Sequence, residues 1–543
     1  MADSITNSWF QKSISVIADC SLEERKYLFQ QSRILKEAMQ EQNEEVLDRF
    51  RISDPSFGIY EIFLEDSTRT RESFRNAAKF LRVNVSDMIS GSSSLNKSES
   101  FRDTFHTLIG YSNHIFIVRS KQEGLCRWLA KSSKVYCGRM GTAFIPSFVN
   151  GGDGEHEHPT QELYDDFTFL EDLQWNYDKI HVALIGDLLH NRTIHSKING
   201  LQIFNEVEVD LIAPGEMGLP RSYYQIMAEK VCNIRIFASL DEYLEQKHVA
   251  PMWYFTRLQL ERMDEMILRR EGELRYSVTL RPDHLPVLQK LQDEQNCKIK
   301  FYHPMPRHKQ FPVIPTFLDN TPYNGWERQS ANGLIVRITL LALIAGRCPP
   351  PVGLLPREET ESKPVKSYEE LPILDSGRPK VYSEGLRPIR NGIVIDHILR
   401  GSSPPEIRCH MRRITELMGL DRYRGGQWVG SSHKDSHIKA IYKGLIFVPE
   451  AKPFSPEQLR KLSAIAPHIT INYIQDGQVQ SKYRLLQPPR IYGFSETRCR
   501  NRNCISHESH HEGVDSEFSH TVEDNFICIY CHTGHNFQEI WNV

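Results

Sequence analysis

Two hydrophobic periods alternate along about the first 345 residues, and that alternation restricts the fold more than any other feature. Short apolar runs with strand character occur at 58–65 (GIYEIFLE), 114–120 (HIFIVRS), 179–187 (KIHVALIGD), 207–214 (VEVDLIAP), 251–257 (PMWYFTR) and 297–304 (CKIKFYHP). Between them lie segments of helical period. Phe74, Ala77, Ala78 and Leu81 share one helical face, as do Leu163, Phe167 and Leu170. Strands that alternate with helices are expected to lie parallel, because a parallel pair needs a long crossover that a helix supplies. The number of units predicts an α/β class with two lobes, each built on a parallel sheet. The run NGLIVRITLLALIAG (332–346) reads as a buried helix. Arg337 interrupts it and it is too short to cross a bilayer, so no membrane partner is expected.

The pattern then changes. Residues 346–378 are rich in proline and charge and lack periodicity, which predicts a linker. Residues 379–490 read as a smaller α+β domain: strands in NGIVIDHIL, KAIYKGLIFVP and ITINYIQDGQVQSKYRL, and helices in IRCHMRRITELMGL and in SPEQLRKLSAIAPH, the latter with Ser455 as N-cap. Residues 491–543 are dense in cysteine and histidine. The expected lobes of the first part are 1–170, rejoined by the helix at 324–345, and 171–323.

A net charge of −3 argues against nucleic acid as a partner. The start, MADSITNSWFQKS, has no apolar leader. The 11 cysteines form no disulfide framework, so a reducing cytoplasm is the expected location.

The stretch FLEDSTRTRESF (63–74) sets Arg69 and Arg71 among Ser67, Thr68 and Thr70, with Arg75 just beyond. Arginines this close repel unless an anion lies among them. A strand ends near Glu65 and a helix begins near Thr70. A helix start with hydroxyls and an arginine fork is a natural phosphate seat; the alternative is a solvated, capped helix start.

Other polar residues fall where strands should end: Arg119, Arg192, Arg257 with Gln259, and the HPMPR segment with Pro304, Met305 and Pro306. His158 and Gln161 stand where a helix should begin. Ligands of open α/β sheets bind beyond the carboxyl ends of the strands. Singly, His158 could be a capping or core histidine and each arginine a surface ion pair; their joint placement predicts one cleft. His156 and His158 lack the spacing of a helical zinc pair.

In the tail, Cys499 and Cys504 precede Cys528 and Cys531. Two cysteine pairs at this separation fit a closed tetrahedral Zn2+ site that staples a segment too short to form its own core. A redox pair is the alternative, and His507, His510, His511, His532 and His535 could compete as ligands.

DSTRTRESF, HPTQELYDDFTFLE, GDLLHNRTIHS, TRLQLER and HPMPR together resemble, over roughly residues 50–345, the catalytic chain of aspartate carbamoyltransferase. The resemblance implies transfer of the carbamoyl group of carbamoyl phosphate to L-aspartate, a step of pyrimidine synthesis. It implies that 1–170 binds carbamoyl phosphate and 171–323 binds aspartate. Ser67, Thr68, Arg69 and Thr70 would hold the phosphate; Thr70, Arg119 and His158 would polarise the carbonyl. Gln161 and the carbonyls around Pro304, Met305 and Pro306 would hold the carbamoyl NH2, and Arg192, Arg257 and Gln259 the two carboxylates. The loop 91–104 would bring Ser94 and Lys97 into a neighbouring subunit's site, which implies a trimer or a higher homo-oligomer; the family often has glycine where Ser98 stands.

CRNRNCISH, NGIVIDHI and APHITINYIQDGQVQSKYRL resemble the regulatory chain of the same family. That implies a fused chain, structural Zn2+ on the four cysteines, and CTP or ATP as possible effectors near Asp396, His397, Lys434, Lys439 and Lys482. Whether nucleotide still binds is left open. The readings to be weighed against this one are carbamoyl transfer to another amine and a non-catalytic nucleotide-sensing or zinc scaffold.

Overall fold

The computed structural model describes residues 8–541 other than 89–98, 112, 230, 232, 260–262, 264, 351–365, 374–388, 433–440 and 522–524. Ser94, Lys97, Lys434 and Lys439 lie outside the described residues. The chain divides into two compact units: Met1–Glu358 with Asn503–Ile505, and Glu359–Arg502 with Ser506–Val543.

The first unit contains two parallel sheets. One is built from β1 (Gly58–Phe63), β2 (Asn84–Met88), β3 (Asn113–Ser120) and β4 (Ser147–Asp153), in the order β2-β1-β3-β4. The other is built from β5 (Lys179–Ile185), β6 (Glu206–Ile212), β7 (Asn233–Phe237), β8 (Met252–Phe255) and β9 (Lys300–Tyr302), in the order β7-β6-β5-β8-β9. Every pairing in both is parallel, as the alternation requires.

The six expected strands are all present, with ends that shift by up to three residues. The three unforeseen ones, β2, β4 and β7, are all sheet edges. Interior strands of a parallel sheet are covered on both faces and so read as apolar runs. Edge strands such as NVSDM and NIRIF do not.

The helix Thr68–Phe80 buries Phe74, Ala77 and Ala78, and Leu81 follows at its C-cap, fully buried. Fully burying a side chain the size of Phe74 contributes about 2 kcal/mol. The helix Trp326–Ile344 packs against Pro159–Asp172, Thr68–Phe80 and Leu22–Glu41. It is buried over most of its length, Arg337 included. In the Pro159–Asp172 helix burial extends beyond the face of Leu163, Phe167 and Leu170: every residue from Pro159 to Leu170 is buried, including Glu162, Asp165 and Asp166.

All the strand-end segments singled out in the sequence leave their sheets at the carboxyl edge. Gly186 shows how tightly two of them approach. Its φ is +117°, and a Cβ there would lie 2.4 Å from the carbonyl oxygen of Thr256. A side chain would force apart the ends of β5 and β8, which are hydrogen-bonded neighbours with Ile185 opposite Phe255; strain of this kind costs about 1–3 kcal/mol before the clash is counted.

The second unit is α+β. Its larger sheet comprises β10 (Tyr368–Glu370), β11 (Gly392–Ile398), β12 (Gly426–Ser432), β13 (Ile441–Pro449), β14 (Thr470–Gln475) and β15 (Gln478–Leu485), in the order β10-β15-β14-β11-β13-β12. All its pairings are antiparallel. The helices Pro404–Leu417 and Pro456–Ile465 belong to this domain, and the Ser455 side chain accepts the Gln458 N–H as the N-cap. The run ITINYIQDGQVQSKYRL is a hairpin turning at Asp476 and Gly477, both at positive φ, the behaviour of an Asp-Gly turn. Tyr368–Glu370 lies within the stretch expected to be linker; it pairs with the end of β15, Tyr368 opposite Leu485. A small antiparallel sheet of β16 (Arg490–Ile491), β17 (Phe518–His520), β18 (Asn525–Cys528) and β19 (Gly534–Asn536) carries the cysteine-rich tail. Among the described residues no helix is long and apolar enough to cross a membrane.

Candidate active site

The three arginines of the opening motif separate once the chain folds. Arg71 lies over the Phe63 ring, 4.9 Å from its centroid. Arg75 binds Glu61 at 2.9 Å and Asp87 at 2.5 Å. Both are therefore structural. Arg69 remains at the cleft, close enough to Arg119, His303 and Tyr164 to act on each electrostatically. Ser67 is the N-cap in an extended conformation, but its side chain makes no capping bond. The first-turn N–H groups of a 13-residue helix and the buried Thr70 thus stand beside Arg69, which is an anion seat.

Arg119, at the end of β3, donates Nη1–H to the Gly151 carbonyl at 2.9 Å and lies 3.1 Å from Glu65 Oε2. Arg192 begins the helix Arg192–Gly200; its Nη1 donates to the same Glu65 oxygen at 3.2 Å and to the Gly154 carbonyl at 3.0 Å. One carboxylate oxygen thus bridges two guanidiniums from two different sheets. Gly152 makes the space: at φ +109° a Cβ would lie 2.8 Å from Arg119 Nη1 and 3.1 Å from Arg192 Cζ. Burial, then Arg192, pushes the Arg119 guanidinium down to about 9 despite Glu65. It stays charged near neutral pH.

His158 is the N-cap residue of Pro159–Asp172 and is buried. Its N–H donates to Ser196 Oγ at 3.0 Å. Burial, followed by the charges of Arg192, Arg119 and Arg337, holds its imidazole well below the usual histidine value. It is therefore a neutral ring that can donate one N–H without bringing charge. Gln161 is buried, with Nε2 donating to Asp165 Oδ1 at 2.8 Å and Oε1 accepting from the Tyr164 hydroxyl.

On the second sheet, Gln259 donates its N–H to Asp187 Oδ2 at 3.1 Å and its amide to the His190 carbonyl at 2.9 Å. Asp187 Oδ1 also accepts from the N–H of His190 at 3.0 Å. This fully buried carboxylate ties the segment carrying Arg192 to the segment carrying Arg257 and Gln259. His303 precedes Pro304–Pro306 and is pushed down to about 3 by burial, with Arg69, Arg307 and Arg257 adding to it. Its Nδ1 accepts the Met305 N–H at 2.8 Å.

Arg69, Arg119, His158, Arg192 and, through His303, Arg257 accordingly share one electrostatic neighbourhood. Sequence reading passed over three members of it. Arg337 donates to Ser73 Oγ at 2.9 Å and lies between the rings of Phe74 and Tyr164; a lone charge inside LIVRITLLALIAG was its signal. Asp187 lay inside the quoted GDLLHNRT, and Gly152 inside a glycine pair within β4.

In the second unit Lys443 Nζ meets Asp396 at 2.8 and 3.0 Å. Burial depresses His397; Asp396 opposes that, and Lys443, Arg400 and Lys482 reinforce it. Asp396, His397 and Lys482 are thus brought together, with Lys443, which lies in the same KDSHIKAIYKG segment as Lys434 and Lys439, as the lysine beside them. Cys499, Cys504, Cys528 and Cys531 are all buried with their sulfurs within 4.8 Å of one another. Cys499 and Cys531 Sγ are 3.6 Å apart, and His535 Nε2 is 3.4 Å from Cys499 Sγ. Four thiols this close suit a tetrahedral metal ion.

Comparison with known proteins agrees with this geometry. The family model for the carbamoyl-phosphate-binding domain of aspartate and ornithine carbamoyltransferases matches residues 12–171. Those for the allosteric and metal-binding domains of the aspartate carbamoyltransferase regulatory chain match 384–486 and 489–541. Protein PyrBI of Treponema denticola is 52% identical over 538 residues, 98% of this chain and 99% of that protein. The aspartate carbamoyltransferase catalytic subunit of Photobacterium profundum is 31% identical over 342 residues, 63% of this chain and 98% of that protein. The chain belongs to the aspartate carbamoyltransferase family. The solved catalytic subunit of the M. jannaschii aspartate transcarbamoylase is similar at 26% identity and a TM-score of 0.51, over 62% of this chain and 98% of that one. This aspartate carbamoyltransferase therefore carries catalytic and regulatory parts in one polypeptide, and its tail is a metal-binding domain.

A neutral His158 is directly testable. Imidazole nitrogen shifts of the full chain should show His158 failing to protonate between about pH 8 and pH 6. A midpoint near the ordinary histidine value would contradict the depression by burial and the arginines.

Proposed function

We propose that the cleft of the first unit binds carbamoyl phosphate at the Ser67–Thr70 helix start and L-aspartate against Arg192, Arg257 and Gln259, yielding N-carbamoyl-L-aspartate and phosphate. The observation that carries this reading is the set of guanidiniums around His158: Arg119, Arg192 and Arg337 all act on one buried, neutral imidazole. Such a cluster suits a substrate pair with a phosphate and two carboxylates. A scaffold has no use for it.

In this reading Ser67, Thr68, Arg69 and Thr70 hold the phosphate. Thr70, Arg119 and the neutral His158 donate to the carbonyl oxygen and stabilise the oxyanion. Gln161 and the carbonyls around Pro304, Met305 and Pro306 hold the carbamoyl NH2. The aspartate amine attacks the carbonyl carbon and a C–N bond forms. The C–O bond to phosphate then breaks, phosphate leaves with the electron pair, and it takes the proton shed by the amine. Arginine forks measure the separation of the two carboxylates, which favours a diacid over another amine. Holding both reactants in place supplies much of the rate. Ser94 and Lys97 are assigned to a neighbouring subunit's site, which makes the catalytic unit a trimer or a multiple of one. A reducing cytoplasm is the proposed location, one that would keep the four clustered thiols of the tail available to a metal.

Arg69→Ala should lower kcat by at least about a hundredfold without unfolding the protein, and Arg257→Ala should raise the KM for aspartate far more than that for carbamoyl phosphate. Steady-state kinetics alongside mass in solution checks both. Equal losses for both substrates in Arg257→Ala, or full activity in a monomer, would contradict the assignment.

Zn2+ is the ion proposed for the four cysteines, because four thiolates leave no open position for catalysis and favour a structural role. Removing it with a chelator should melt residues 491–543 before the rest of the chain. Hydrogen exchange resolves the two, and an undisturbed tail after metal loss would exclude the site.

For the regulatory half, Asp396, His397, Lys482 and Lys443 are proposed as the nucleotide contacts, with Lys434 and Lys439 as further candidates. Calorimetry with CTP and ATP should give saturable heat that Lys443→Ala weakens. No heat at millimolar nucleotide would leave this domain as an assembly module.

A further inference from the structure

Behind the cleft lies a group of charges that the proposed reaction does not use. Glu162, Asp165, Asp166 and Lys197 are all fully buried. Lys197 Nζ is 2.8 Å from Asp165 Oδ2 and 2.9 Å from Glu162 Oε2, and 3.9 Å from the centroid of the Tyr254 ring. A buried ammonium is tolerated only with partners of this kind. Burial raises Glu162 well above its ordinary value, and the Lys197 ammonium opposes that rise. Arg25 faces the same group, 3.7 Å from Asp166.

The other oxygen of Asp165 points toward the cleft residues. Its Oδ1 accepts from Gln161 Nε2 at 2.8 Å and from Gln329 Nε2 at 2.6 Å. Gln329 Oε1 in turn accepts the His303 N–H at 2.9 Å, and His303 Nδ1 accepts the Met305 N–H at 2.8 Å. A single carboxylate thus holds the amide of Gln161 and, through Gln329, the backbone of 303–305. Lys197 also lies on the helix that Arg192 begins. The carbamoyl-side and aspartate-side contacts are therefore fastened to the same ion pair.

We propose that Lys197 is a positioning residue for the carbamoyl end of the substrate: its ammonium fixes the Asp165 carboxylate, which sets the Gln161 amide and the 303–306 backbone in one geometry. This rests on the reading of Gln161 and the 304–306 carbonyls as carbamoyl contacts. The Gln161 amide is held at both ends, Nε2 donating to Asp165 Oδ1 and Oε1 accepting from the Tyr164 hydroxyl, and the Asp165 bond is the one that Lys197 supports. Without Lys197 that carboxylate loses its nearest counter-charge, and the amide keeps only the Tyr164 hydroxyl as a firm anchor.

The test compares two probes, carbamoyl phosphate and inorganic phosphate, by calorimetry on the full chain. Phosphate alone reports the Ser67–Thr70 seat, and the ratio of the two affinities reports the carbamoyl contacts. Lys197→Met and Gln329→Leu should each weaken carbamoyl phosphate by about tenfold or more, with phosphate within about twofold of wild type. Gln161→Ala is the reference and should move the ratio in the same direction. If it does while Lys197→Met and Gln329→Leu leave the ratio unchanged, or weaken both probes in parallel, the positioning role is overturned and the site reading stands. If Gln161→Ala leaves the ratio unchanged, the carbamoyl reading fails and the proposal with it. Should Lys197→Met not fold, having left buried carboxylates uncompensated, Gln329→Leu decides the matter by the same ratio.

Discussion

Everything in the catalytic part depends on holding several guanidiniums together in a cleft they would otherwise push open. Arg119 and Arg337 are almost fully buried, and Arg192 shares a carboxylate oxygen with Arg119. Removing such groups from water costs several kcal/mol each unless they are hydrogen-bonded. The fold meets that cost locally. Carbonyls of Gly151 and Gly154 accept from two of the arginines, Ser73 and Thr160 take Arg337, and Gly152 removes the atoms that would fill the space. What remains is an excess of positive charge with Glu65 between two of its members. Binding anions is the natural release for that arrangement, and a bound pair of anions would compete with Glu65 for the same forks.

The two sheets contribute differently. The β1 and β3 ends bring the helix start and Arg119, which favour a phosphate. The β5 and β8 ends bring Arg192, Arg257 and Gln259, which favour carboxylates. Asp187 links the latter pair, and the contact of Gly186 with Thr256 keeps those ends close enough for the link. Between the sheets, the start of the Pro159–Asp172 helix supplies His158 and Gln161. A charged His158 would repel the arginines around it; as a neutral ring it can face a developing oxyanion without disturbing them. Burial is thus what makes the histidine useful.

Which parts of this were legible in the sequence follows from the reach of the signals. Interior strands were visible because both faces are covered, whereas β2, β4, β7 and β12 were not, because an edge strand needs no continuous apolar run. Residues at strand ends were visible because their positions follow from the strands. Arg337 and Lys443 were not, because their partners lie far away in the chain, Ser73 264 residues from Arg337 and Asp396 47 from Lys443; for Asp187 the same holds of Gln259, 72 residues away. The buried charges of Pro159–Asp172 went further against pattern. Leu163, Phe167 and Leu170 mark one apolar face, and periodicity alone says nothing of a partner for Glu162, Asp165 and Asp166. The helix is covered all round, and its acidic side is satisfied by Lys197 and Arg25, residues whose own positions gave no warning. Local periodicity assigns charge to the surface by default, and only a tertiary partner reverses that.

The second unit shows the same logic at lower density. Lys443 is already paired with Asp396, so a polyphosphate arriving there must share or displace an ion pair that is part-exposed and worth about 1 kcal/mol. In the proposed nucleotide reading that cost is set against attraction to Lys443, Lys482 and Arg400, which salt would erode. His397, held at positive φ and kept largely neutral by burial and those cations, suits a hydrogen bond to a neutral group better than a contact with phosphate. In the proposed nucleotide reading the charge therefore lies on the lysines and the hydrogen-bonding capacity on the Asp396–His397 segment. That division matches a ligand with an anionic end and a neutral, polar end, and it leaves discrimination between such ligands to the neutral end.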